Sequence, residues 1–185
     1  MLSENNLSPA TSTVKAVATG KRMAARNRVK TRKLLLSIHL VAVSLQIGVI
    51  TALLGLQLIS GFNPEISRRA VIYDAIVALE YFGLYPVIAI AILSGVVIGI
   101  YNHSGFLTAW WLIVKQGVFA LAGVAMAIFI GPASPTLADQ AYASKTITPE
   151  VESFQFSITA ALSFYLAVLI FIVVISVFKP WGRRR

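Results

Sequence analysis

Residues 34–60 read LLLSIHLVAVSLQIGVITALLGLQLIS, an apolar run that contains no Asp, Glu, Lys or Arg. A helix needs about 20 apolar residues to cross the hydrocarbon core of a bilayer. The apolar part of a secretory signal is only about 7–15 residues long, so this run predicts a membrane-spanning helix and not a cleaved leader. Helix is the expected structure because lipid offers the backbone no hydrogen-bond partners.

Three further apolar runs follow, and the chain as a whole has few charges for a soluble protein. Hydrophobic residues make up 57% of the sequence and charged residues 12%, with a mean hydropathy of +0.80. Soluble domains average about a quarter charged residues. The sequence therefore predicts an all-α membrane protein, a four-transmembrane-helix antiparallel bundle. Its predicted helices cover about 34–60, 64–101, 107–131 and 149–178.

Basic residues are concentrated at the two ends of the chain. Of the sixteen Lys and Arg residues, eight lie in 15–33 and four in 179–185. Lys and Arg are enriched in cytoplasmic segments, so both termini are predicted to be cytoplasmic (N-in/C-in). We expect basic tails at 1–33, which we take as disordered, and at 179–185, both against anionic headgroups, with the transmembrane domain at 34–178. A transit peptide is the alternative for the first tail.

The connections between the predicted helices carry capping and turn signals. Residues 63–65 (Asn-Pro-Glu) and 148–150 (Thr-Pro-Glu) each offer an N-cap side chain, a proline for the first helical position and an acid. We expect an exposed pair between Glu65 and Arg69. The turn at 102–105 is short, which predicts that the second and third helices are neighbours. The segment 132–148 reads as a solvated link.

The first predicted helix has a polar face, formed by His39, Gln46 and Gln57 at helical spacing. Glu80 lies inside the hydrocarbon in the second helix, where an unpaired carboxylate favours its protonated form. Ionisable groups in this position are functional candidates. These four residues form a candidate polar seam. The alternative is a structural role, with the Gln side chains bonding neighbouring helices and Glu80 bonded to Gln57 or to a tyrosine.

A second set of polar residues lies toward the predicted cytoplasmic side. His39, His103 and Lys115 are candidates for a small pocket there, although Lys115 can equally extend to the headgroups. The sequence has no cysteine and only two histidines, so it predicts no metal site and no cofactor. It also shows no phosphate-binding loop, no paired carboxylates at one depth and no nucleophile with a base. We therefore expect a protein that is not an enzyme.

Small residues recur at the spacing typical of close helix packing in membranes. Pro86 predicts a kink in the second helix. The candidate packing positions are Gly48, Ala52, Gly55, Gly95, Gly99, Gly123, Ala127 and Gly131.

The residues that carry a family resemblance are Leu36, Ser37, Ile38, His39, Gly48, Pro86, Ser94, Gly95, Trp111 and Lys115. Together they resemble a group of small, uncharacterised bacterial integral membrane proteins, similar in pattern to the membrane region of copper-resistance protein D. That group often has tryptophan two residues before the glycine of the first helix, where this chain has Gln46. The resemblance covers about residues 34–131 and implies a four-helix protein of the bacterial cytoplasmic (inner) membrane, with an organellar membrane as the less favoured alternative.

Three functional hypotheses follow from these patterns. The first is a non-enzymatic protein that acts by helix–helix association, as a homo-oligomer or as an accessory subunit of a larger membrane complex. The second is a small transporter or proton relay that uses the polar seam. The third is a haem- or copper-binding membrane protein. The expected partners are the lipid bilayer and other membrane helices, not nucleic acid.

Overall fold

The computed structural model describes residues 9–101, 110–144 and 146–178. Within these ranges the chain is helical, without a strand, and four stretches are long and apolar enough to cross a membrane. The predicted all-α class and the four apolar spans are thereby confirmed. The elements are α1 (Pro9–Gly61), α2 (Ile66–Leu79), a π-helical turn (Glu80–Leu84), α3 (Tyr85–Tyr101), α4 (Trp110–Phe129), α5 (Ala133–Ala143) and α6 (Pro149–Phe178).

The longest element is α1, which has 53 residues and therefore measures about 80 Å at about 1.5 Å per residue. It includes residues 9–33, so the expectation of disorder is corrected for that segment. Ala, Lys and Arg are strong helix formers, and a helix extends readily from an adjoining span once it is nucleated. Arg28 donates to the backbone oxygen of Tyr101 (3.4 Å) and lies over its ring. Residues 1–8 and 179–185 lie outside the described residues.

The second span contains the π-helical turn between α2 and α3. The N–H of Tyr85 donates to the backbone oxygen of Glu80, five residues earlier, and Pro86 follows directly. Proline has no N–H to continue the helical ladder, and a wider turn next to it accommodates the missing bond. The irregularity predicted at Pro86 therefore takes the form of a π turn that begins at Glu80.

The starts of the second and fourth spans differ, although their sequences are alike. α2 begins after Glu65, and Asn63 accepts the Glu65 N–H (3.1 Å) in a local turn instead of capping the helix. The Thr148 hydroxyl does accept the Val151 N–H (3.3 Å) at the start of α6. The acid of the first motif pairs with Arg68 (2.7 Å) and not with Arg69 as predicted.

The third span is longer than predicted and is interrupted. It covers Leu112–Ala143, with a break between α4 and α5 around Gly131 and Pro132. The interpretation of 132–148 as a solvated link is wrong for most of its length, because α5 buries one face against α2 and α6. Glycine and proline end α4, and the apolar spacing of the residues after them allows a new helix to dock.

The helices are arranged around α1, which packs against α2, α3 and α6, while α4 packs against α6. In the described residues α3 and α4 make at most marginal contact, although they are consecutive spans. The prediction that the second and third helices are neighbours therefore holds at the end where α5 packs against α2 and is wrong for α3 and α4; the turn at 102–105 itself lies outside the described residues. The physical reason is that α3 buries its face on α1 and α4 buries its face on α6, which leaves space between them.

Candidate functional site

Glu80 is the first residue of the π turn and is only 2% exposed. The Ser134 hydroxyl, in the first turn of α5, donates to its Oε1 at 2.9 Å. Its Oε2 has no hydrogen-bond partner among the described residues. A buried polar atom without a partner is uncommon in folded proteins and calls for an explanation. The carboxyl is thus held on one side and free to accept a bond on the other.

A half-enclosed cavity of about 450 Å³ lies beside this carboxyl, between α3 and α4, with α6 contributing to its wall. The wall is almost wholly apolar. Its polar side chains are those of Glu80, Tyr85 and Tyr165. Cavities of about 300–1,000 Å³ with an apolar lining and a few polar groups are typical of small-molecule sites.

Two interruptions in the helices meet at this cavity. The π turn supplies Glu80 and Leu84 to its wall, and the break between α4 and α5 supplies Ile130 and Gly131. A Cβ at position 131 would lie 2.8 Å from the backbone oxygen of Ala127, so the break requires glycine there. Gly131 was predicted to be a helix-packing position, whereas in the structure it allows the chain to turn between α4 and α5.

Gln46, the second member of the predicted seam, connects α1 to the same cavity. It is buried, and its Nε2 donates to the Tyr165 hydroxyl of α6 at 2.9 Å. Tyr165 is itself in the cavity wall. The Oε1 of Gln46 has no partner in the described ranges. The hydrogen bond to Tyr165 therefore links Gln46 of the polar seam to the cavity wall.

Gln57 is as deeply buried as Gln46, but neither polar atom of its side chain has a hydrogen-bond partner in the described part of the chain. The predicted alternative, a bond from Gln57 to Glu80, is therefore absent from these residues. The nearby Ser60 hydroxyl is also buried and unpartnered. These atoms extend the buried polar face of α1 toward its end at Gly61.

His39, the remaining seam residue, lies at the opposite end of the first span from Gln57 and is half-buried. Its Nδ1 lies 3.1 Å from the Ala91 backbone oxygen and 3.0 Å from the Ser94 hydroxyl of α3. A Cβ at Gly95 would lie 3.3 Å from the imidazole, so this glycine makes room for the ring. Lys115 is half-buried on α4. His103, the third residue of the predicted pocket, lies outside the described residues.

Arg69 was predicted to be exposed and is buried, at the end of the molecule where α1 ends, α2 and α6 begin and α5 packs, which we call the α5 end. Arg69 is 6% exposed and donates to the backbone oxygens of Gly61 (3.0 Å) and Asn63 (2.6 Å). It also donates to Gln155 Oε1 (3.1 Å), which accepts the Tyr73 hydroxyl (2.8 Å) as well. The helical spacing of Arg69, Tyr73 and Glu80 was the available signal that one face carries all three.

Gln155 completes this group by donating from Nε2 to the backbone oxygen of Gln57 at 3.0 Å. A Cβ at Gly61 would lie 2.6 Å from the same nitrogen, so a larger residue there would displace the Gln155 amide from its bonds. We call Arg69, Tyr73 and Gln155 the arginine cluster. It joins α1, α2 and α6 through buried hydrogen bonds.

Several predicted packing positions are not packed. A Cβ at Gly48, Gly55 or Gly123 would meet no atom within 4 Å, and Ala52 and Ala127 are exposed. Gly99 is half-buried on α3. Gly48, Gly55 and Gly123 therefore do not serve packing within the described part of this chain, and close packing of these glycines against a second subunit stays a prediction.

Across the residues that the structure describes, no three His, Asp or Glu side chains lie together in a group that could hold a metal ion. Comparison of the chain with protein-family models, with curated proteins and with solved structures found no match.

Proposed function

We propose that this chain is a small membrane transport protein in which Glu80 takes up and releases a proton. The observation that carries the proposal is the carboxyl itself: it is almost fully buried in a predicted span, bonded on one oxygen by Ser134 and unpartnered on the other. A buried carboxylate without a cationic partner is costly, so such a group readily takes up a proton. It lies on a cavity where the exchange can be coupled to an occupant.

The interrupted helices support the same proposal. π-helical turns in helices occur frequently at functional sites. Transporters commonly build their binding sites from discontinuous helices, because the interruption exposes polar groups within the bilayer. Here the π turn and the break at Gly131 lie on one cavity. Of the seam residues, Gln46 reaches that cavity through Tyr165, and His39 lies farther along α1.

The proposal includes an orientation. With the basic residues of α1 on the cytoplasmic side, four antiparallel crossings place the α5 end on the opposite side of the cytoplasmic membrane. Glu80 then lies nearer the outer side, and His39 with Lys115 nearer the cytoplasm. A proton that reaches Glu80 from outside has to pass the α5 end, where Ser134 already holds the carboxyl.

Proton movement into proteoliposomes tests the assignment of Glu80. The vesicles carry a pH-sensitive dye inside, and a potassium gradient with valinomycin sets the membrane potential. We expect the wild-type protein to acidify the lumen faster than protein-free vesicles. Glu80→Gln should reduce the rate to that of the protein-free vesicles, and His39→Ala should lower it in part.

The matched control is Glu152→Gln, because Glu152 is an exposed glutamate in the first turn of α6. It should leave the rate unchanged. Circular dichroism and gel filtration in detergent show whether each variant keeps its helices and its size. Wild-type flux in folded Glu80→Gln, or no flux in the wild type, would contradict the proposal.

Association with a second copy of the chain is the second candidate function, favoured by Gly48 and Gly55 on α1. A Cβ at either position would meet nothing within 4 Å, and Ser44 and Ala52 on the same face are exposed. Glycine inside a helix costs about 0.5–1 kcal/mol relative to alanine, so its use here is unexplained by packing within the chain. Small residues on an outer face let a second membrane helix approach closely.

Energy transfer between labelled copies in bilayers, at several protein-to-lipid ratios, measures this association. Gly48→Ile should abolish the transfer, because the added side chain separates the helices. Gly117→Ile is the control, since Gly117 is also a helical glycine with no atom near its Cβ but lies on α4. Absence of transfer in the wild type, or equal transfer in both variants, would exclude the α1 face as a self-association surface.

A further inference from the structure

The cavity beside Glu80 is elongated along the helices. On the second span it extends from Glu80 to Ile92, and on the third span from Gly131 back to Phe119. At about 1.5 Å per residue, each distance is about 18 Å along the helix axis. The carboxyl lies at one end, and apart from Tyr85 and Tyr165 the remainder of the wall is apolar. The shape therefore suits a molecule with one polar end and a long apolar body.

The charge of the polar end follows from the groups around it. The described residues that line the cavity include no Lys, Arg or His, so an anion would meet Glu80 without a compensating cation. The Oε2 of Glu80 is a buried, unpartnered acceptor, and Tyr85, whose side chain is partly exposed, lies in the same wall. Carboxylates and aromatic faces both attract ammonium groups, and the attraction is stronger away from water.

The route of entry is also indicated. α3 and α4 do not pack together in the described residues, and the cavity is open between them. Both helices belong to predicted membrane spans, so an opening between them faces the surrounding lipid. An apolar molecule that is already dissolved in the bilayer can reach Glu80 without crossing the α5 end.

From these observations we infer that the cavity between α3 and α4 binds a lipophilic cation from the bilayer, with its ammonium group at Glu80 and its apolar chain toward Phe119. The inference rests on the proposed transport function and names the class of molecule that is moved. Binding needs the carboxylate form, so an occupant replaces a proton on Glu80. The cation and the proton therefore compete for the same carboxyl.

Binding of radiolabelled dodecyltrimethylammonium to the full chain in nanodiscs tests the inference. Empty nanodiscs give the background from partition into lipid. We expect saturable binding to the wild type that an uncharged carbon isostere of the same chain length does not displace. Glu80→Gln should weaken binding by about tenfold or more, because the neutral amide keeps the shape and loses the charge.

A steric variant tests the position of the chain independently of the charge. Gly123 lines the cavity and has open space at its Cβ, whereas Gly117 on the same helix has open space but does not line the cavity. Gly123→Leu should abolish binding, and Gly117→Leu should leave it unchanged. Equal binding to both leucine variants would overturn the inference, as would Glu80→Gln binding the cation as tightly as the wild type does.

Proton flux and cation binding, measured together, test the proton function and the ligand class separately. Proton flux that depends on Glu80, together with no specific cation binding, would leave the proton function and overturn the ligand class. Specific binding blocked by Gly123→Leu, together with no proton movement in proteoliposomes, would support the cation site and contradict proton transport. Binding that tracks the lipid content and not the protein would show partition alone and overturn the inference.

Discussion

The α5 end and the region between α3 and α4 are built in opposite ways. At the α5 end, Arg69 and Gln155 are buried and bonded to backbone and side-chain groups of three helices. Between α3 and α4 there is a cavity, and helix faces that could have met are apart. Glu80 lies at the boundary: Ser134 of the first region bonds its Oε1, its Oε2 is buried without a partner among the described residues, and the residue lines the cavity of the second region.

The α5 end therefore stabilises the molecule, and the space between α3 and α4 is available for binding. In lipid there is little hydrophobic gain when two apolar helices meet, so packing and interhelical hydrogen bonds have to hold them. The α5 end has such bonds, whereas α3 and α4 make at most marginal contact with each other in the described residues. The space at Glu80 therefore does not require a strained fold, because stability comes from the other region.

The largest effect should come from breaking the arginine cluster at Gln155. Gln155→Leu removes three buried hydrogen bonds: those that Gln155 Oε1 accepts from Arg69 and from the Tyr73 hydroxyl, and the one that its Nε2 donates to the Gln57 backbone oxygen. Buried groups that lose their partners cost about 1–3 kcal/mol each, so we expect a loss of about 3 kcal/mol or more in the free energy of unfolding. Steric trapping in bicelles measures that free energy.

Gln57→Leu is the matched control, since it makes the same change at a buried glutamine whose side chain has no described partner. We expect unfolding free energy within about 1 kcal/mol of the wild type, or an increase, because a buried unpaired amide is replaced by an apolar group of similar size. Equal losses in the two variants would contradict the view that the bonds of Gln155 hold the α5 end.

An intermediate effect is expected at the boundary between the two regions. Gly131→Ala places a Cβ 2.8 Å from the Ala127 backbone oxygen, so the break before α5 has to shift. We expect a loss of about 1–3 kcal/mol in unfolding free energy, the usual range for overpacking. Gly117→Ala, where a Cβ meets nothing within 4 Å, should instead stabilise α4 by about 0.5–1 kcal/mol. If both substitutions stabilise the protein, the glycine at the break has no steric role.

The smallest effect is expected at the surface of the α5 end. Arg68→Ala removes the exposed pair with Glu65, next to the buried Arg69. Exposed pairs contribute about 0–1 kcal/mol and are weakened by salt, so the unfolding free energy should change little. Thermal unfolding in detergent at low and high salt measures this. A large, salt-independent loss would mean that surface charge, and not the arginine cluster, holds this end.

The polar residues of the seam could be predicted from the sequence, but their hydrogen-bond partners could not. Glu80, Gln46 and Gln57 could be chosen because polar side chains in apolar runs are visible in the sequence. Their partners could not be chosen, because Ser134 is 54 residues from Glu80 and Tyr165 is 119 residues from Gln46. The burial of Arg69 was missed because it lies near a predicted helix start, where charged side chains are usually exposed.

Hydropathy and helical spacing suffice to predict the four apolar spans and the polar face of α1, because both are local properties that lipid enforces. The docking of α5 as a helix, the π turn that begins at Glu80 and the separation of α3 from α4 follow instead from how the helices pack. Those features depend on which faces are already occupied: α3 is covered by α1 and α4 by α6. The cavity at Glu80 is what this allocation of faces leaves open.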